Sequence, residues 1–99
     1  MIQIQQTEAY AKWFSGLRDR VARARSDIRI RRLSLGNAGD AKPVGDSVSE
    51  LRVDYGPGYR ISFIRRGEVV IVSLAGGDKS TQDKDIRNAK ALAKDLKEQ

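Results

Sequence analysis

The N-terminal part of the chain shows a strand pattern followed by a helical one. Ile2 and Ile4 alternate with glutamines, which is typical of a strand with one buried face. Thr7 is a residue type that caps helices, and the apolar residues after it recur at helical spacing. These residues are Tyr10, Trp13, Phe14 and Leu17. The pattern predicts a strand and then a helix whose aromatic side lies in the core.

A second helix is predicted after the break at Ser15-Gly16. It runs to about Leu35, and Gly36 is well placed to end it. The helix carries two stripes about a quarter-turn apart. The apolar stripe is formed by Leu17, Val21, Ala24 and Ile28, and the basic stripe by Arg18, Arg25, Arg29 and Arg32. The two helices are expected to form a hairpin with an arginine-lined flank.

A loop and three strands are predicted next. Residues 36–47 have the composition of a loop. The strands are Val48 to Tyr55, Tyr59 to about Arg65, and Val69 to Ala75, with turns at 56–58 and 66–67 and an end at 76–78. The first strand places Leu51, Val53 and Tyr55 opposite Glu50, Arg52 and Asp54. The third is almost continuously apolar, as expected of a central strand covered on both faces.

A C-terminal helix completes the predicted fold. Ser80 and Asp83 have the spacing of a capping box, and apolar residues then recur at Ile86, Ala89, Leu92 or Ala93, and Leu96. The predicted order is β-α-α-β-β-β-α in one domain, residues 1–99. The predicted class is α+β: a twisted, mostly antiparallel sheet with an N-terminal helical hairpin, a C-terminal helix, and the helices on one side.

The composition excludes several kinds of chemistry. The chain has no cysteine and no histidine, which removes disulfides, thiol nucleophiles, imidazole acid–base catalysis and most transition-metal sites. No metal and no cofactor are therefore expected. The N-terminus lacks the pattern of a signal peptide, and no apolar run has the roughly 20 residues needed to cross a bilayer. A cytoplasmic protein without a membrane partner is expected.

The charge favours an anionic partner. The net charge is +6, and the excess is concentrated in residues 1–35, which carry eight basic and three acidic side chains. A basic excess of this size favours nucleic acid or an acidic protein. Four cations are predicted to bind nucleic acid: Arg25, Arg29, Arg32 and Lys42.

The candidate chemistry lies on the sheet. Arg52 and Arg60 can project from the same open face, with Lys79 close to a strand end. Arginine's planar fork suits phosphate oxygens, and positioned cations stabilise the charge that develops on phosphorus when RNA is cleaved. Equally, such arginines can be solvated or paired with carboxylates. As an outward residue, Arg60 is expected to contribute little to stability.

The order of elements and three motifs resemble the RelE/ParE superfamily of bacterial toxins. The motifs are Glu50-Leu51-Arg52, Gly58-Tyr59-Arg60-Ile61-Ser62-Phe63 and Gly76-Gly77-Asp78-Lys79-Ser80-Thr81. The segment from Asn37 to Gly45 is similar to the loop of the HigB-related "addiction module killer protein" group. The resemblance covers essentially the whole chain.

The resemblance implies a toxin of a type II toxin–antitoxin system. In the mRNA-cleaving members, a sheet arginine in a Tyr-Arg pair contacts the scissile phosphate, and Arg60 matches it. Lys79 matches a basic residue after the last core strand, and Arg52 falls in a Leu-Arg pair. The strand lysines of RelE are replaced by Val48 and Glu50, and its C-terminal tyrosine has no counterpart. The implied arrangement therefore has fewer groups, with Glu50 or Asp54 as the proton acceptor.

Three functions are compatible with these observations. The first is a metal-independent, ribosome-dependent mRNA endoribonuclease toxin. The second is a ParE-like toxin that poisons DNA gyrase and cleaves nothing itself, and the third is a basic binding module without toxicity. The family resemblance also implies a cognate antitoxin of helix-turn-helix type from the same operon. It is expected to cover either the helical hairpin, which is preferred, or the sheet around Arg52 and Arg60.

Overall fold

The computed structural model describes residues 2–67 and 70–97, which form an α+β fold. The strands are β1 (Gln3–Gln6), β2 (Ala41–Gly45), β3 (Val48–Val53), β4 (Tyr59–Arg66) and β5 (Val70–Gly77). The helices are α1 (Glu8–Gly16), α2 (Arg20–Ser34) and α3 (Gln82–Lys97), and a 3-10 turn (Lys79–Thr81) precedes α3. The predicted α+β class is confirmed, with one strand more than expected.

The sheet has the strand order β1-β5-β4-β3-β2. The pairs β2–β3, β3–β4 and β4–β5 are antiparallel, and β1 pairs parallel to β5. The sheet is therefore mostly antiparallel, as predicted, and β5 has neighbours on both sides. Its continuous apolar sequence follows from this position, because Ile71 is buried on one face while Val72 and Leu74 are buried on the other.

Helices cover both faces of the sheet, so the prediction of helices on one side is wrong. The first core cluster joins Tyr10 of α1 and Leu33 of α2 to Leu51, Val53, Ile61, Phe63 and Ile71. The second joins Ala89 and Ala93 of α3 to Val48, Ile64, Val72 and Leu74. The strands carry apolar residues on both faces of the sheet. If α3 did not cover the second face, the apolar residues on that face would be exposed to solvent.

Strand β2 was not predicted, because residues 36–47 have loop composition. It pairs antiparallel with β3 through a tight turn in which Asp46 and Ser47 have positive φ values of 54° and 65°, as hairpin turns of the primed types require. Pro43 is tolerated because β2 is an edge strand. Gly45, at φ 101°, lies where the register shifts.

The helices α1 and α2 contact the sheet more than each other. In α1 the predicted aromatic side is confirmed, since Tyr10 is buried and Trp13 and Phe14 pack against the same cluster. Thr7 caps this helix as predicted, accepting a hydrogen bond from the Tyr10 N–H at 3.1 Å. In α2 the apolar stripe does not form the buried side: Val21 and Ile28 are exposed. The buried residues of α2 are Ala22, Ser26, Leu33 and Ser34.

The end of β5 and the start of α3 also differ from the prediction. Strand β5 continues through Gly76 and Gly77, because Ile61 and Arg60 still pair with them. The capping box is wrong. Asp78 accepts from the Ser80 N–H at 2.8 Å and starts the 3-10 turn that leads into α3. Val69, predicted to begin the last strand, and residues 98 and 99 of the predicted helix lie outside the described residues.

Candidate active site on the α3 face of the sheet

The two sheet arginines lie side by side. Arg52 of β3 is the direct partner of Arg60 in β4, and Arg60 is in turn opposite Gly77 of β5. Directly paired residues project to the same face, and here it is the face that α3 partly covers. The prediction that Arg52 and Arg60 share a face is therefore confirmed.

Arg60 is held in a buried ion pair. Its Nη1 donates to Oε1 of Glu50 at 3.1 Å, and the two side chains are only 15% and 2% exposed. Gln82 of α3 donates to the same oxygen at 3.0 Å. The Nε of Arg60 is buried and has no hydrogen-bond partner in the described part of the chain. An unsatisfied donor in a charged, buried group carries a desolvation cost that an added acceptor would remove.

The expectation that Arg60 is an outward residue of little structural importance is wrong. Strand alternation fixes the face correctly, but α3 and Glu50 enclose the side chain there. Removing one partner of a buried pair leaves an uncompensated charge, which costs about 3–5 kcal/mol. Any substitution that removes this cation therefore tests the fold as well as the chemistry.

Arg52 makes a more exposed pair. Its Nε lies 3.1 Å from both carboxylate oxygens of Asp40, and the side chains are 47% and 49% exposed. The hydrogen bonds to Asp40 raise the pKa of Arg52, so its guanidinium stays charged. Pairs as exposed as this contribute about 0–1 kcal/mol. Arg52 can consequently exchange Asp40 for another anion at little cost.

A cleft of about 270 Å³ lies beside the two arginine–carboxylate pairs. Its lining includes Asp40, Arg52, Asp54, Gly58, Tyr59 and Arg60. Two carboxylates are already hydrogen-bonded to the two arginines, so the cations there are balanced within the protein. Asp54, the other candidate proton acceptor, is exposed at the rim. The cleft therefore combines one exchangeable cation, Arg52, with Arg60, whose pair with Glu50 is buried.

The two candidate lysines lie near the sheet arginines but are not among the residues that line this cleft. Lys79 is exposed on the 3-10 turn, and its Cβ lies 3.9 Å from the position that a Cβ on Gly58 would occupy. Lys42 of the edge strand β2 is the direct partner of Glu50 and is exposed. Lys42 was predicted to act with the α2 arginines, but the register places it beside Glu50 on the α3 face.

The three α2 arginines that were predicted to bind nucleic acid differ from one another. Arg29 donates to the carbonyls of Arg52, Ala38 and Asp40 at 2.6, 3.1 and 3.3 Å, so it ties α2 to β3 and to the segment before β2. The guanidinium of Arg25 lies 5.0 Å from the ring centre of Tyr55. Both arginines line, with Arg32, a groove of about 410 Å³ that shares Val53 and Asp54 with the cleft. The predicted basic surface and the sheet arginines therefore adjoin.

Sequence reasoning missed two members of the site. Gln82 is 32 positions from Glu50 and reaches it only because α3 crosses that face. Asp40 was placed in a loop without a role, yet it pairs with Arg52. Only a correct prediction of β2 and of the position of α3 could have found them.

Together, the fold and site define an α+β protein with a charged cleft at one end of a five-stranded mixed sheet. The sequence matches no family model. It is similar to a protein of Haemophilus influenzae, described as uncharacterized, with 48% identity over 95 residues and 96% of each chain covered. The chain belongs to the same family as this Haemophilus protein.

Proposed function

We propose that the protein is the toxin of a type II toxin–antitoxin system of the RelE/ParE kind, acting as a metal-independent mRNA endoribonuclease. The observation that carries the proposal is a cleft lined by Arg52 and Arg60, with the buried Glu50 paired to Arg60 beside it. Cations that can bind a phosphate and a carboxylate that can accept a proton are the two kinds of group that RNA cleavage needs.

The proposed reaction is an intramolecular transesterification. A carboxylate, Glu50, accepts the proton of the ribose 2′-hydroxyl, and the 2′-oxygen attacks the adjacent phosphorus. The bond from phosphorus to the 5′-oxygen breaks, which leaves a 2′,3′-cyclic phosphate and a 5′-hydroxyl. Lys79 or water supplies the proton to the leaving oxygen. Arg52 releases Asp40 and, with Arg60, binds the phosphate oxygens as charge develops on them.

Because Glu50 is 2% exposed, this role requires the side chains that cover it to move when substrate binds, so that the carboxylate comes within hydrogen-bond distance of the 2′-hydroxyl. A general base works best when its surroundings hold it in place and exclude bulk water. Gln82 and Arg60 both donate to Oε1 of Glu50, and these hydrogen bonds fix the orientation of the carboxylate.

Conservative substitutions test the proposal. Glu50→Gln keeps the size and hydrogen-bonding capacity of the side chain but cannot accept the proton, and Arg60→Lys keeps the charge. Each is expected to lower the cleavage rate by about two to three orders of magnitude and to relieve growth arrest on induction. Arg65→Lys, at an exposed position of the same strand, is the matched control.

The measurements are growth after induction, mapping of 5′-hydroxyl ends in cellular mRNA, and thermal melts of each purified variant. Ribosome dependence is tested by comparing naked and translated mRNA. If Glu50→Gln and Arg60→Lys both melt normally and remain fully toxic, the assignment of these residues is wrong.

A ParE-like gyrase poison is the second candidate. It is favoured by the pairing of both sheet arginines with carboxylates, since a protein that binds gyrase needs no cations free for a scissile phosphate. Induced cells distinguish the two activities, because cleaved messages indicate a ribonuclease, whereas DNA breaks with an SOS response indicate gyrase poisoning. Neither effect would favour a basic binding module without toxicity.

The proposed partners are mRNA on the ribosome and a cognate antitoxin, so the proposed place of action is the cytoplasm. Residues 2–67 and 70–97 contain no helix of the length and apolar character needed to cross a membrane. Co-expression with the product of an adjacent short reading frame is expected to give a tight complex and to suppress growth arrest.

A further inference from the structure

A groove of about 540 Å³ lies at the end of β5, between α1 and the start of α3. Trp13 and Tyr59 line it on the α1 side, and Thr81 and Asp85 line it on the α3 side. We call this cavity the β5-end groove. Its volume is in the range of small-molecule sites, and none of these four residues has a part in the cleavage reaction proposed above. The groove therefore needs an explanation of its own.

Two glycines at the end of β5 make room for the lining side chains. A Cβ on Gly76 would overlap the ring of Trp13, and a Cβ on Gly77 would overlap the carboxylate of Asp85. The indole and the carboxylate therefore lie directly on the strand backbone. They lie on opposite faces of the sheet, because successive residues of a strand face opposite sides. The β5-end groove thus brings an aromatic ring and a carboxylate together around one strand end.

Aromatic rings form the α1 side of the β5-end groove. The ring centres of Trp13 and Tyr59 are 6.3 Å apart in an edge-to-face arrangement, and both side chains are half-buried. Each ring keeps part of its surface open to the groove. Proteins bind unpaired nucleic-acid bases by stacking them on such rings. The α1 side can therefore hold a planar base.

Asp85 supplies hydrogen-bond acceptors on the α3 side. Its Oδ2 accepts a hydrogen bond from the Thr81 hydroxyl at 2.6 Å, which orients the carboxylate. A carboxylate has about four lone-pair positions on its two oxygens, so most of its accepting capacity remains for a ligand. The ion pairs within residues 2–67 and 70–97 do not include Asp85. A ligand that donates two hydrogen bonds side by side would match this carboxylate.

The β5-end groove adjoins the cleft of the sheet arginines. Tyr59 lines both cavities, and Gly77 is the direct strand partner of Arg60. Directly opposed residues have side-chain positions about 5 Å apart on the same face of a sheet. The carboxylate of Asp85 occupies the position that a side chain on residue 77 would take. A nucleotide whose phosphate lies at Arg60 therefore has its base within reach of the groove.

We infer that the β5-end groove is a base-binding subsite that prefers guanine. Of the four RNA bases, guanine alone presents two neighbouring N–H donors on its Watson–Crick edge, and the two oxygens of Asp85 accept both. Adenine and cytosine present one amino donor beside a ring nitrogen lone pair, and uracil presents one N–H between two carbonyl oxygens. Each of these three bases would point an acceptor at the carboxylate, which is unfavourable. The ring of the base would stack on Trp13 and Tyr59.

A cationic ligand is the main alternative occupant, because aromatic rings and carboxylates also bind amines and guanidinium groups. It fits the observations less well. The net charge of +6 repels cations at long range, and Lys12 lines the same groove. A neutral base that donates hydrogen bonds meets neither obstacle.

This inference deepens the proposed ribonuclease function and rests on it for the link between the subsite and cleavage. The base preference itself can be measured by binding alone, since a nucleoside monophosphate has no phosphodiester bond to cleave. Absence of RNA cleavage would count against the proposed function. Equal binding of all bases would count against the subsite, so the two can fail separately.

The fluorescence of Trp13, the only tryptophan of the chain, reports binding in the groove. The full chain is titrated with the 3′-monophosphates of guanosine, adenosine, cytidine and uridine, and with argininamide as the cationic probe. Asp85→Asn keeps the size of the side chain and an acceptor for Thr81, but it presents an amide donor to the base. Asp95→Asn, at an exposed position ten residues further along α3, is the matched control. Thermal melts verify the fold of each variant.

Guanosine 3′-monophosphate is expected to bind the native protein about tenfold or more tightly than the other three nucleotides. Asp85→Asn should abolish this preference, and Asp95→Asn should retain it. In induced cells, the 5′-hydroxyl ends of cleaved mRNA should lie beside guanosines, and Asp85→Asn should lose that bias while cleavage continues.

Three results overturn the inference. The first is equal or absent binding of the four nucleotides to the native protein, which needs no variant. The second is an unchanged guanine preference in Asp85→Asn with a normal melt. The third is binding of argininamide in place of the nucleotides, which would make the groove a cation site.

Discussion

The protein has two sets of arginines that look alike in sequence and differ in their surroundings. The sheet arginines, Arg52 and Arg60, each contact a carboxylate. The arginines of α2 have no carboxylate within ion-pair distance among the described residues. A charge that is buried and paired contributes to the fold and reacts strongly to loss of its partner. Exposed, unpaired charges instead determine which partners approach and how fast.

The largest effect is expected for Arg60→Ala. The substitution leaves the carboxylate of Glu50, 2% exposed, without its cation, and should destabilise the protein by about 3–5 kcal/mol. Replacing both partners with apolar residues, as in Glu50→Leu with Arg60→Met, should recover most of that loss. Urea denaturation measures the free energy of unfolding of the single variant and of the double variant. Equal loss in the two would show that the pair does not behave as a buried ion pair.

Arg29→Ala tests whether Arg29, although it lies in α2, contributes to the stability of the fold. Arg29 donates to three backbone carbonyls that connect α2, β3 and the segment before β2, and Gly39 at φ 60° lets the backbone approach its guanidinium. Hydrogen bonds from charged groups contribute about 1.5–3 kcal/mol each when buried, and less at an exposed site. The expected loss is about 1–2 kcal/mol.

Arg32→Ala is the control for this experiment, because the side chain of Arg32 is exposed on the same helix. It should change the free energy of unfolding by no more than about 0.5 kcal/mol. Equal losses for Arg29→Ala and Arg32→Ala would contradict the distinction between them.

The different surroundings of the sheet arginines and the α2 arginines could for the most part not be predicted from the sequence. Periodicity predicted β3, β4 and β5 and the shared face of Arg52 and Arg60, because strand alternation is a local property. It could not predict that α3 covers that face, since the burial of Glu50 depends on Gln82, far away in the chain. The apolar stripe of α2 shows the converse: Val21 and Ile28 have helical spacing but lie outside the core.

The salt dependence of RNA binding compares the cations near the cleft with those of α2. Each phosphate contact that is lost from a single-stranded complex lowers the slope of log K against log salt by about 0.7. If the cleft binds RNA, Lys42→Gln with Lys79→Gln should lower the slope by about one to one and a half. Arg25→Gln with Arg32→Gln should change it little, because α2 packs on the other face of the sheet from Lys42 and Glu50.

The prediction from sequence differs, since it assigned Arg25, Arg29 and Arg32, together with Lys42, to nucleic acid. Filter binding over a range of salt concentrations decides whether the RNA binds near the cleft or on α2. A slope that falls only with the α2 variant would place the RNA on α2. Arg29 is left unchanged in this test because its loss would also affect the fold.

Arg52→Ala should have a small effect on stability, since its pair with Asp40 is about half exposed. The expected change in unfolding free energy is about 0–1 kcal/mol, several times less than for Arg60→Ala. If Arg52 nevertheless binds the phosphate, the variant should lose cleavage activity while its thermal melt stays near that of the native protein. A large loss of stability would mean that the pair of Arg52 and Asp40 behaves as a buried ion pair, like that of Arg60 and Glu50.

The smallest expected effect concerns the junction where α2 begins. The hydrogen bond that Tyr55 donates to Asp19 at 2.9 Å lowers the pKa of Asp19, and hydrogen bonds from the N–H groups of Ala22 and Val21 lower it further. A carboxyl whose pKa is depressed by folding contributes stability above its unfolded pKa of about 3.9. That contribution is lost as the pH falls through the lower folded value.

Tyr55→Phe should raise the pKa of Asp19 toward its ordinary value, which removes part of this stability at pH 7 and makes the loss on acidification smaller. NMR titration of the Asp19 side chain measures the shift, and Asp83, an exposed carboxylate of α3, serves as the internal control. An unchanged Asp19 titration in Tyr55→Phe would mean that the N–H groups of Val21 and Ala22 alone hold the charge at the start of α2. Arg25 lies over the ring of Tyr55, and Phe keeps that contact, so the experiment separates the hydroxyl from the position of the arginine.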